Sequence, residues 1–139
     1  MTKENVMEKL ERILEDTKIG VLSSISKGKP YSRYMTFYNK GITLYTPTHK
    51  DTYKVEDMVT NSHVHIILGY KEDGDAYFEL QGIAVISTDP DLKAHLWNDS
   101  LSAYFDSPTD PNYIVLVIEP KKVTIMNDTD YDGPQIVEL

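Results

Sequence analysis

Apolar positions in the first sixteen residues recur at helical spacing. Val6, Leu10, Ile13 and Leu14 form one stripe, with Glu8, Lys9, Glu11 and Arg12 between them, and this predicts an amphipathic helix from Thr2 to about Asp16. The period then changes. Ile19 to Ile25 is a short apolar run that stops at the turn signal Ser26-Lys27-Gly28-Lys29-Pro30. Tyr31 to Tyr38 alternates, placing Tyr31, Arg33, Met35 and Phe37 on one strand face and Ser32, Tyr34, Thr36 and Tyr38 on the other. Asn39-Lys40-Gly41 closes a hairpin into Ile42–Thr46, so the three runs predict a meander. Helical spacing returns from Asp51 to Asn61, with Val55, Met58 and Val59 as the buried stripe. Val64 to Tyr70 predicts a fourth strand. A polar turn, Lys71-Glu72-Asp73-Gly74-Asp75, leads into a longer one from Tyr77 to Ser87, where Gly82 marks a bulge or a close backbone approach.

Asp89-Pro90 starts a helix, because Asp caps free amides and Pro suits the first helical position. That helix is expected to run to about Tyr104. After the rigid loop Ser107-Pro108-Thr109-Asp110-Pro111, Tyr113–Glu119 and Val123–Met126 read as two last strands hinged at Pro120. The acidic segment 128–139, with Gly133-Pro134, is expected to be a flexible tail. Short strands at about ten-residue intervals with turn signals indicate a barrel or sandwich. Too few helices separate the strands for parallel βαβ winding.

A chain of 139 residues has room for one domain, here residues 1–139, and for one real core. Hydrophobic residues make up 40% and charged residues 26%, which is ordinary globular composition. Fourteen basic against 22 acidic residues leave a net charge of −8, whose average field repels a phosphate polymer, so no nucleic-acid partner is expected. The absence of cysteine excludes disulfides, thiolate metal sites and cysteine nucleophiles. No apolar run approaches the roughly 18–20 residues that span a bilayer, and the N-terminus offers no signal-peptide pattern. No membrane association and a cytoplasmic address are the expectations.

Candidate chemistry is sparse. Of His49, His63, His65 and His95, only His63 and His65 share a strand face, and no third ligand accompanies them, so no metal is expected. Neither a nucleophile elbow nor a P-loop is present. The cluster Glu72, Asp73 and Asp75 reads as a solvated turn. What remains is Arg33 on a strand centre together with Thr52 and Lys54 at a helix entry. An inward arginine is costly unless it meets an anion, and free amides at a helix start favour a phosphate. On spacing alone, a phosphate pocket and simple pairing with surface carboxylates stand level.

The motifs as a set resemble the pyridoxamine 5'-phosphate oxidase-like FMN-binding split barrels, and most closely their general stress protein 26 branch. The resemblance runs from about Val6 to Asn127. It rests on Arg33-Tyr34-Met35, Tyr45-Thr46, Thr52-Tyr53-Lys54-Val55, Asn61, Val64, Gly82-x-Ala84, Leu96-Trp97, Tyr104-Phe105 and Asp110-Pro111-Asn112-Tyr113. It implies a mainly β fold, a six- to seven-stranded antiparallel split β-barrel with α-helices. It also implies FMN bound between the two subunits of a homodimer. On this resemblance Arg33 and Lys54 hold the phosphate and Thr52 donates a hydroxyl. Met35 and Thr36 run along the isoalloxazine ring, Thr46 contacts the cofactor, and Tyr77 reaches it from the second subunit. Trp97 is expected as a packing or interface residue.

Three departures stand out. Tyr34 replaces a usual Pro, the loop from Thr46 to Lys54 is about two residues longer than usual, and Met126-Asn127 stands where the branch often has Trp-Asp. They imply weaker cofactor binding or a more open ring. The expected function is that of a small FMN-dependent oxidoreductase taking electrons from a nicotinamide cofactor or another small-molecule donor. A non-catalytic flavin-sequestering stress protein is the alternative. No catalytic residue is assigned. Oxidation of pyridoxamine phosphate itself is not expected, because the Arg and His segment that reads that substrate in the true oxidases has no counterpart in this sequence.

Overall fold

The structure is a computed structural model that describes residues 2–139, with Tyr53 described by its backbone only. Its elements run α1 (Lys3–Asp16), β1 (Ile19–Ser26), β2 (Lys29–Thr36), β3 (Tyr38–Lys40), β4 (Thr43–His49), α2 (Tyr53–Thr60), β5 (His63–Leu68), β6 (Tyr77–Ser87), α3 (Pro90–Leu96), β7 (Tyr113–Met126) and β8 (Gln135–Glu138). A single 3₁₀ turn, Leu101–Ala103, follows α3. No helix among the described residues is long and apolar enough to cross a membrane.

Every strand pairing is antiparallel, in the order β2-β1-β5-β6-β7-β4-β3, with β8 added to β7. The sheet curls around Leu22, Phe37, Leu44, Ile66, Phe78, Leu80, Leu116, Ile118 and Ile125, all fully buried. The alternation read from the sequence is the cause, since β1, β4, β5 and β6 send every second side chain inward, while the edge strand β2 has no buried residue. The curl brings β2 close to β4, but no ladder joins them. The barrel is therefore split there, and β2 is left as an edge strand. Helix α1, capped by Thr2, whose hydroxyl accepts the Asn5 N–H at 3.2 Å, lays Val6, Leu10 and Leu14 into the core.

A smaller apolar cluster lies outside the barrel, built from Leu96, Leu101, Phe105, Tyr113 and Val115. The Tyr113 hydroxyl donates to the Lys93 carbonyl at 2.9 Å, and Lys93 Nζ donates to the Asp110 carbonyl at 3.1 Å. Trp97 packs here, 5.8 Å from the Tyr113 ring, so it serves as the packing residue it was expected to be.

Four elements differ from the sequence expectation, each for a local reason. The strand expected over 31–38 breaks at Phe37, which turns fully into the core and donates its N–H to the Lys18 carbonyl at 2.6 Å. As a result β2 pairs with β1 and β3 pairs with β4, in place of one continuous meander. The helix expected to reach Tyr104 ends at Leu96. Asn98 Nδ2 donates to the Leu96 carbonyl and to the Tyr38 hydroxyl, and its Oδ1 accepts the Ser100 N–H, side-chain bonds that compete with the helical ladder. The two last strands are one, because the register shift between Gln81 and Gly82 leaves Lys121 as a bulge and keeps Pro120 in the ladder opposite Gly82. Gly82 is required there: a Cβ would stand 2.6 Å from the Glu119 carbonyl oxygen.

The fourth difference is the segment after Asp128, which carries β8 and is pinned by Lys9. Lys9 Nζ lies 2.7 Å from Asp128 Oδ2 and 2.8 Å from Asp130 Oδ2. Burial pushes the Asp128 carboxyl up, but hydrogen bonds from Lys9 and the Asp130 backbone and the Lys9 charge outweigh it and hold the group below the usual carboxylate range. A carboxyl depressed in the folded state adds stability above its unfolded pKa and loses it as pH falls through the folded one. Asp128→Asn is thus expected to lower the urea midpoint at neutral pH, with the gap to wild type closing in acid below the carboxylate range. An unchanged gap across that range would remove Asp128 as the titrating group.

Candidate functional site

The split between β2 and β4 opens into a cleft of about 620 Å³. Ile19, Met35, Leu101 and Phe105 form its apolar wall, and Thr36, Thr48, His49 and Thr52 supply polar groups. Among the described residues no carboxylate lines it. Along one side runs the free edge of β2, whose outer N–H and C=O groups have no ladder partner. A flat heterocycle placed there meets in-plane donors and acceptors as an added strand would.

Two cations stand close in the chain to residues of this cleft, and neither lines it. Arg33 lies two residues before Met35 on the same face of β2, opposite Leu22 in the register. Its guanidinium donates to Ser24 Oγ at 2.8 Å and to the Leu22 carbonyl at 3.2 Å, both neutral acceptors. Burial lowers its pKa, partly opposed by the charges of Asp57 and Tyr31. Lys54 sits in the first turn of α2, where burial and then the nearby Arg33 charge both lower its pKa. Among the described residues neither cation meets a carboxylate within 4.0 Å. The Asp57 carboxylate accepts from Ser26 Oγ at 3.1 Å. Two half-buried like charges beside a helix start, with only the more distant charge of Asp57 acting on Arg33, are an arrangement that an anion would relieve.

Thr52 takes the N-cap position of α2, but its hydroxyl donates to the His49 carbonyl at 3.1 Å and makes no cap bond. Turning toward a phosphate requires it to release that carbonyl. Thr46 is fully buried on the inner face of β4, and its Oγ1 has no hydrogen-bond partner among the described residues. Such an orphan costs about 1–3 kcal/mol. Tyr77, at the start of β6 opposite Met126, stands edge-on to Tyr70 at 5.5 Å and does not line the cleft of its own chain. Of the residues singled out in the sequence, Met35, Thr36 and Thr52 line one cleft, Arg33 and Lys54 each lie two residues from one that does without lining it themselves, Thr46 is buried two residues from Thr48, and Tyr77 stands apart. Tyr34, in place of the branch's Pro, is 79% exposed at the cleft mouth.

Sequence reasoning did not assign His49, Leu101, Tyr104 or Phe105 to the site. His49 stands beside the Thr52-Tyr53-Lys54 motif, which was its signal. The other three come from the 3₁₀ turn and the residues just after it, more than fifty positions from β2 and β4, and no local pattern announces that approach.

A split antiparallel barrel with a cleft along its free edge defines the class of protein. The chain belongs to the pyridoxamine 5'-phosphate oxidase family, whose model matches residues 6–127. It is 43% identical to general stress protein 26 of Bacillus subtilis (strain 168) over 129 residues, covering 91% of this chain and 92% of that protein. The crystal structure of general stress protein 26 from Bacillus anthracis str. Sterne superposes with a TM-score of 0.87 at 33% identity, covering 97% of this chain and 99% of that one. A more distant fold relative is a pyridoxamine 5'-phosphate oxidase-related, FMN-binding protein from Nostoc punctiforme. It has a TM-score of 0.69 at 14% identity and covers 96% of this chain and 86% of its own.

Proposed function

We propose that the cleft binds FMN and that the protein is a small homodimeric oxidoreductase fed by a nicotinamide cofactor or another small-molecule donor. The observation that carries this reading is the Arg33–Lys54 pair, desolvated, mutually repelling and with no carboxylate within 4.0 Å among the described residues, in a chain of net charge −8. A terminal phosphate supplies the missing anion. The free edge of β2 at Met35 and Thr36 suits a flat polar ring. The description of the Nostoc punctiforme fold relative as FMN-binding supports the choice of flavin.

FMN, when bound, supplies hydride and one-electron transfer. The chain's own part is simpler. Arg33 and Lys54 neutralise the phosphate, the β2 edge orients the ring, and Ile19, Leu101 and Phe105 exclude water from one side. A cleft lined by no carboxylate among the described residues suits chemistry that needs no acidic general acid or base. Ile19, Tyr34, Ile67 and Val85 are exposed apolar side chains that a second copy would cover, and in the family resemblance it is Tyr77 of the partner subunit that reaches the flavin.

Flavin fluorescence quenching with FMN and riboflavin, and sedimentation equilibrium with and without FMN, test the reading. FMN is expected to bind more tightly than riboflavin, to a dimer. Equal affinity for the two flavins would remove the phosphate site, and a monomer under both conditions would remove the shared one. Bound FMN that no nicotinamide donor reduces would leave a flavin-sequestering protein in place of an oxidoreductase.

A further inference from the structure

His49 closes β4 and stands in the cleft wall with its side chain 42% exposed. Its imidazole is held at two points. The ring lies nearly parallel to Phe105, with centroids 6.3 Å apart and planes 20° from one another. Nδ1 accepts the backbone N–H of Asp51 at 3.1 Å. A nitrogen that accepts an N–H carries no proton itself, so the neutral ring bears its proton on Nε2. Among the described residues no acceptor meets that Nε2–H. The Asp51 carboxylate, 4.0 Å away, is also nearest Nδ1 and leaves Nε2 free. The bond at Nδ1 explains why the turn before α2 holds its shape. It does not explain an oriented, unpartnered donor in the wall of the cleft that Thr36 and Thr52 also line.

We propose that His49 is a ligand-contacting, specificity-determining residue, whose Nε2–H donates a hydrogen bond to an acceptor atom of the flavin held in this cleft. The inference rests on the FMN reading above and adds to it a neutral donor on the β4 side, opposite the edge of β2. Because the ring is already immobilised, little side-chain entropy is lost when the bond forms.

The test compares wild type with His49→Asn, His49→Gln and His49→Phe. Asn keeps a carbonyl near Nδ1 to accept the Asp51 N–H but has no donor at the Nε2 position. Gln places an amide donor near Nε2, and Phe keeps the stack on Phe105 with no polar atom at all. FMN is titrated by fluorescence quenching, and the visible absorption bands of the bound flavin are recorded. Asn and Phe are expected to raise the dissociation constant about three- to tenfold, the range of one net hydrogen bond, and to shift the bands. Gln is expected to restore both toward wild type. Wild-type affinity and spectrum in Asn and Phe would overturn the inference and leave the FMN reading standing. Failure of wild type to bind FMN would overturn both. Weakening in Gln and Phe with wild-type binding in Asn, the variant that keeps the Asp51 bond, would overturn the inference and assign His49 to the turn alone.

Discussion

Lys54→Ala is expected to weaken FMN binding by about 1.5–3 kcal/mol, the range for a charge-assisted hydrogen bond, and to leave the unliganded fold as stable as before. The second half distinguishes a ligand site from an ordinary ion pair. Lys54 has its pKa lowered by burial and by Arg33, and has no carboxylate partner within 4.0 Å among the described residues. Removing it therefore breaks no attraction in the empty protein and relieves a repulsion. Arg33→Ala is expected to weaken FMN to a similar extent, with some loss of stability, because Arg33 also bonds Ser24 and the Leu22 carbonyl. Both losses shrink when inorganic phosphate competes, and neither variant changes riboflavin binding. Fluorescence titration with the two flavins, beside thermal melts of the unliganded variants, checks the set. A Lys54→Ala protein that binds FMN like wild type but melts earlier would reassign Lys54 to structure.

The largest effect on stability is expected from Phe37→Ala, about 3–5 kcal/mol, the usual loss for a deleted aromatic in a closed core. Phe37 is fully buried at the corner where β2 ends and β3 begins. Its ring anchors the break that lets one length of chain pair with β1 on one side and β4 on the other. Thr36 and Tyr38, its two neighbours, both line the cleft, so a loosened corner also disturbs the site. Phe37→Leu keeps most of the volume and is expected to lose much less. Urea unfolding measures both. If Ala and Leu cost the same small amount, the corner does not depend on this side chain.

Much of the molecule was legible in the sequence because its signals are local. The stripe Val6, Leu10 and Leu14 gave α1 nearly to its ends, and Tyr77–Ser87 matches β6 at both boundaries. Gly82 announced the bulge, since only a residue without Cβ fits 2.6 Å from a carbonyl. The motifs Arg33-x-Met35 and Thr52-x-Lys54 pointed to the family that the comparisons establish. Alternation and turn chemistry depend on neighbours a few positions apart, which any reading of one chain can see.

What only the tertiary structure decided depends on contacts distant in sequence. Phe37 continues a perfect alternation, and nothing local says that it must leave the strand for the core. Asn98 stops α3 through bonds that include Tyr38, sixty residues away, and the acidic segment after Asp128 becomes ordered because Lys9 and β7 receive it. The site divides in the same way. Arg33 and Lys54 were visible as cations in suggestive places, yet whether they pair with carboxylates or wait for an anion was level on spacing. Folding bears on that, because it desolvates both, sets them near each other and keeps them more than 4.0 Å from every described carboxylate, Asp57 bonding Ser26 and acting on Arg33 by its charge alone. The sequence determined which elements form and which charges stand on them; the closing of the sheet, which brings Leu101 and Phe105 against the free edge of β2, decided where a ligand fits, since a cleft is a property of long-range packing that no single element contains.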